Sequence, residues 1–84
     1  MAGTRPDYRS FMNMRTISGT ILIVQEGRFR LLTAAGRGMH FILAHDAGLE
    51  AQDLPAFAHR RVRVEYEAAP GLRAHVAHSL EATP

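Results

Sequence analysis

All ten basic side chains in this 84-residue sequence are arginines, set against eight carboxylates for a formal charge of +2. A guanidinium is always charged, grips phosphate or carboxylate with a planar fork, and stacks on bases. Arg28 and Arg30, then Arg61 and Arg63, recur at every second position. Period two is the period of a strand, so each pair projects from one face. With Arg37, His40 and Arg73 they make the candidate binding surface. Single-stranded RNA or DNA is the ligand expected for such a surface, held by arginine–phosphate contacts. The aromatic side chains add little to it. Phe29 and Tyr66 fall on core parity, Phe57 lies in helix-forming sequence, and Tyr8 and Phe11 lie near the N-terminus. A protein partner or a second copy of the chain is the alternative ligand, through an exposed sheet edge or the mixed charges of Arg61, Arg63, Glu65 and Glu67.

The five histidines are His40, His45, His59, His75 and His78. His75 and His78 would make a ligand pair on a helix, but residues three apart on a strand face opposite sides. No carboxylate stands at a metal-motif spacing to His75 and His78 or to His40 and His45, so surface histidines and a half-buried His78 are expected, with no metal site and no cofactor. The absence of cysteine removes disulfides, thiolate catalysis and cysteine-ligated zinc. Neither a P-loop, a nucleophile elbow nor a dinucleotide glycine pattern is present, so no enzyme is expected. Asp46, Glu50 and Asp53 read as capping and solubility.

These side chains need strands to position them. Thr16 to Val24 is β-branched and apolar, with Ile17, Gly19, Ile21 and Ile23 on one parity; Gly19 marks a sharp bend or close approach. Gln25-Glu26-Gly27 is a turn. Arg28 to Thr33 alternates, Phe29 and Leu31 inward, and Ala34 to Gly38 supplies a hairpin. Met39 to Ala44 is a third strand with little polarity on either face, so both faces are expected to be covered. Asp53 before Pro55 predicts an N-cap and a short helix that lays Leu54 and Phe57 on the core. Arg60 to Glu67 alternates again, Ala68 to Gly71 is a turn, and Leu72 to Leu80 is the last strand. Its inner parity is Leu72, Ala74, Val76, His78 and Leu80.

Three strands, a short helix and two strands, joined too tightly for parallel crossovers, predict mostly antiparallel pairing. The fold class is all-β: a five-stranded OB-fold-like barrel with one short helix between strands three and four. Residues 1–14 are expected as a flexible arm, 15–81 as the barrel and 82–84 as a tail.

Gly19-Thr20-Ile21, Arg28-Phe29-Arg30-Leu31, the glycine hairpin leading to His40-Phe41-Ile42-Leu43-Ala44-His45, and Val62-Arg63-Val64-Glu65 together resemble bacterial translation initiation factor one. The resemblance spans about residues 16–80 and implies a small bacterial OB-fold; the lysine-rich character and basic end of that family are missing, so ribosome binding is not implied. Met12-x-Met14 beside Phe11 faintly resembles periplasmic copper and silver chaperones with a small OB barrel, whose thioether pairs suit monovalent copper. Residues 1–15 hold no apolar run of signal-peptide length, and no stretch has the length of a membrane span. A cytoplasmic protein with no membrane partner is expected.

Overall fold

A computed structural model describes residues 14–68 and 74–83. The expected arm, with Tyr8, Phe11 and Met12, lies outside the described residues up to Met14, as do Leu72, Arg73 and most of the last turn. The strands are β1 (Met14–Gln25), β2 (Arg28–Thr33), β3 (Gly38–Leu43), β4 (Arg61–Glu67) and β5 (His75–Ala82), with a 3-10 helix at Ala51–Phe57. They close into a barrel in the order β1-β2-β3-β5-β4. Every pairing is antiparallel except β3 with β5, which is parallel over Phe41, Ile42 and Leu43 against His75, Val76 and Ala77. Among the described residues no helix is long and apolar enough to cross a membrane.

The barrel closes because β1 serves two neighbours. Its first half pairs with β4, its second half with β2, and Gly19 and Thr20 pair with both. The two lanes cross at Gly19, where a Cβ would collide with the Leu32 carbonyl oxygen and the Leu31 side chain. Glycine is what lets β2 approach there. On β2 and β4 the alternation holds as expected: Phe29, Leu31, Val62, Val64 and Tyr66 are buried and the intervening arginines exposed. The fully buried Phe41, Ile21, Leu31, Leu54, Val62 and Val64 fill the interior, each worth about 1.5–3 kcal/mol of apolar burial. Phe41 stacks on Phe29 with centroids 5.1 Å apart and meets Tyr66 edge-on at 5.2 Å.

Two bulges break the expected parities. In β1, Ile21 faces Leu31 but Ile23 faces Arg30, so Leu22 is an inserted residue. The extra residue swaps the faces beyond it. Ile23 therefore turns outward, and Val24 packs on the core instead. In β5, Glu65 faces Ser79 while Tyr66 faces Ala77, which leaves His78 in the bulge. Ala77 and Leu80 are consequently both inside, and the predicted inner parity of Val76 and His78 fails. The third strand is also covered on one side only: Phe41 is buried, whereas His40 and Ile42 are exposed.

The short helix seats Leu54 in the barrel and packs Phe57 against the core, as expected. Its N-cap is Glu50 rather than Asp53. Asp53 sits inside the first turn and reaches back, its carboxylate accepting the Glu50 N–H at 2.9 Å. The helix exit is pinned to β1 by the His59 N–H donating to the Ile21 carbonyl at 2.7 Å.

Candidate functional site

The outer face of β1, β2 and β3 collects three of the seven candidate residues, Arg28, Arg30 and His40. Register places Ile23 beside Arg30 and Arg30 beside His40; one row on, Arg28 lies beside Ile42, which lies beside Val76. Among the described residues, the large apolar side chains left in solvent are Leu22 (36%), Ile23 (54%), Leu32 (39%) and Ile42 (39%), all on these three strands. The arginines thus stand among aliphatic groups. Arg30 lies over Gly38, where a Cβ would come within 2.8 Å of its guanidinium. Arg28, His40, Phe41 and Ala74 line an open cleft of about 520 Å³ on the same side. Of the seven described carboxylates, counted as Glu26, Asp46, Glu50, Asp53, Glu65, Glu67 and Glu81, only Glu26 lies near this face; the rest fall in the β3–β4 connection or on β4 and β5.

The remaining candidates separate. Arg37 is exposed in the β2–β3 hairpin, which Gly36 turns with φ +84. Arg61 and Arg63 project from β4, on the far side of β1, where Arg63 pairs with Glu81 at 3.1 Å. Arg73 lies outside the described residues. The seven predicted residues therefore do not form one surface: Arg28, Arg30 and His40 are brought together, and Arg61 and Arg63 belong to a mixed-charge face.

A second cleft, of about 600 Å³, opens at the barrel mouth between Arg15–Ser18 of β1 and the hairpin, with Met39, Tyr66 and His75 beneath. The Tyr66 and His75 rings lie 5.2 Å apart. His75 and His78 do not converge: the His75 ring lies against Phe41 and Tyr66, and the His78 ring against Asp46 and Glu67.

His78 instead lies between two carboxylates. Its Nδ1 is 3.0 Å from Asp46 and its Nε2 is 3.2 Å from Glu67. Both contacts are hydrogen bonds only when the ring is doubly protonated, since a neutral imidazole has one donor. Burial pushes the His78 pKa down, but the hydrogen bonds to Asp46 and Glu67 outweigh it and raise the pKa above its ordinary value. The Asp46 carboxyl is held below its ordinary value, chiefly by the His78 hydrogen bond. Sequence reasoning missed this group because a bulge and a loop assemble it from distant positions. Among the described residues no group of three or more histidine, aspartate or glutamate side chains is placed to hold a metal ion.

No family model matches the chain, and no curated protein sequence matches it. Solved structures do. One is silver(I)-bound CusF, 7% identical over 83% of this chain and 97% of that one, with a TM-score of 0.60. Another is a copper(II)-bound tryptophan-to-alanine variant of CusF from Escherichia coli, 6% identical over 86% and 94%, with a TM-score of 0.62. A silver(I)-bound CusF from Escherichia coli is 7% identical over 84% and 92%, with a TM-score of 0.58.

These likenesses correct three expectations. The structural neighbours are CusF and not translation initiation factor one, so that resemblance holds only at the level of a small OB-like barrel. Their ligands are metal ions, and the described candidate arginines do not share one face; single-stranded RNA or DNA is withdrawn as the partner. The cytoplasmic expectation drawn from the first residues conflicts with these neighbours and is withdrawn. At 6–7% identity the likeness carries the fold alone: the chain is a five-stranded barrel with one short helix, similar in architecture to CusF.

Proposed function

We propose that this chain is a non-catalytic binding module whose ligand is another protein, docked on the outer face of β1, β2 and β3. The observation that carries this reading is the confinement of Leu22, Ile23, Leu32 and Ile42 to one face, interleaved with Arg28, Arg30 and His40. Large apolar side chains gathered on one exposed face of a small protein favour an interaction site. Arginine among aliphatic side chains is the composition of an interface core, which disfavours other charged types. The experiment places a photo-crosslinking phenylalanine analogue at Ile23, at Leu32 or at Arg63 in cells. The expected result is one discrete protein adduct shared by positions 23 and 32, absent at 63, and lost on Ile42→Asp. Adducts that ignore the face, or that contain only nucleic acid, overturn the reading.

A second reading rests on the mouth. The Met39 thioether and the His75 imidazole both line it, and the neighbouring CusF structures carry silver or copper. Those two donors suit a soft monovalent cation. Silver(I) titration followed on the Met39 methyl and His75 ring resonances tests it. A saturable shift lost in Met39→Leu supports the reading, and unmoved resonances discard it.

A further inference from the structure

We propose that an extended acidic segment of a partner protein adds to the barrel as a further strand along Met14–Ser18 of β1. β2 pairs with β1 from Gln25 back only as far as Gly19, opposite Thr33, because the chain then turns through the hairpin into β3. Ahead of that point β1 continues from Met14 to Ser18 with β4 on one side. Among the described residues no strand pairs with its other side. A strand with one unpaired side presents alternate N–H and C=O groups in register, which is the template for strand addition. The lane that β2 vacates is therefore open for about five residues, from 14 to 18.

The space beside it is shaped for a chain. The mouth cleft of about 600 Å³ follows Arg15–Ser18 on one bank and the hairpin on the other. Its size lies within the range of about 300–1,000 Å³ typical of ligand sites. Ile17 and Met39 give the added strand apolar contacts on its inner side. Arg15 and Arg37 stand on the two banks, and no described carboxylate lines the cleft. Charge complementarity thus selects an acidic segment, with alternate apolar residues directed inward. Backbone pairing supplies affinity, and the two guanidiniums supply selectivity against basic segments. This inference rests on the reading of the chain as a protein-binding module, but it uses a different surface from the outer face.

The test uses the full chain, labelled with nitrogen-15, and three synthetic five-residue peptides. One alternates glutamate and valine, one alternates lysine and valine, and one repeats the first with N-methyl groups on alternate backbone nitrogens. The expected result is binding of the glutamate peptide with shifts confined to residues 14–18 and 33–39. Binding should weaken by at least about tenfold for the lysine peptide and for the methylated peptide. Arg15→Glu combined with Arg37→Glu should reverse the charge preference; both side chains are exposed, so the fold is unaffected. Equal binding of the methylated peptide overturns strand addition, as does the absence of shifts with any peptide. Shifts confined to Ile23, Leu32 and Ile42 also overturn it while leaving the outer-face reading in place. Loss of the face-dependent crosslink with intact peptide binding at 14–18 would do the reverse.

Discussion

His78 Nδ1 lies 3.0 Å from an Asp46 carboxylate oxygen, although the two residues are 32 positions apart in the chain. The contact ties the connection after β3 to the bulge in β5, and Glu67 holds the opposite ring nitrogen.

Stability should depend on pH through this contact, with opposite signs for its two members. The His78 pKa is raised above 6.5 in the folded chain, so its contribution is fully present below pH 6.5 and is lost as pH rises through the raised value. The Asp46 pKa is lowered below 3.8, so its contribution is present above pH 3.8 and is lost as pH falls through the lowered value. The pair is therefore strongest between about pH 4 and 6.5. Thermal melts from pH 5 to 9 should show Tm falling on the alkaline side, and His78→Gln should flatten that fall. A wild-type profile that is flat across this range contradicts the pairing.

Gly19→Ala should destabilise the barrel by about 1–3 kcal/mol, the usual cost of forcing an extra carbon into a packed site. Its new methyl meets a backbone carbonyl of β2, which cannot swing aside as a flexible side chain would. Urea unfolding measures the change. A neutral outcome would mean that β1 and β2 do not cross so closely.

Leu54→Ala should cost about 2–5 kcal/mol, because the short helix has no other fully buried side chain and the cavity lies inside the barrel. Ile23→Ala should stay within about 0.5 kcal/mol, since the bulge turns that isoleucine into solvent. The two substitutions measured side by side by chemical denaturation test the β1 bulge. Equal losses would place Ile23 in the core.

Asp53→Ala should cost about 0.5–2 kcal/mol, the range for losing a side chain that satisfies a helix-start N–H. The affected donor is the Glu50 amide. Amide exchange at Glu50 should accelerate in the variant while exchange in β2 and β4 stays unchanged. Uniform acceleration would show that the carboxylate acts on the whole fold.

Legibility varied with the kind of signal. The β2 and β4 alternations and the glycine hairpin are local patterns with one geometric solution, so the succession of five strands and a short helix along the chain was readable. Bulges are not readable this way. An inserted Leu22 or His78 leaves no mark in composition, because any residue can occupy the extra position. Hence Ile23, Val76 and His78 were placed on the wrong side. Arg28, Arg30 and His40 share a face because they depend only on the β2–β3 register. Arg61 and Arg63 were added to them by charge type, and strand order puts them elsewhere. The open lane along Met14–Ser18 depends on where β2 departs from β1, which is a three-dimensional fact.

β5 follows the other four strands in the chain, and among the described residues it alone joins β3 to β4. A nascent chain that has delivered the first four strands is a curled ribbon, its ring still open between Leu43 and Arg61. Closure then waits for a three-residue parallel seam to form. Consolidation of the barrel accordingly waits until β5 has left the ribosome tunnel, and a helper that shields the gap during that interval would raise the yield.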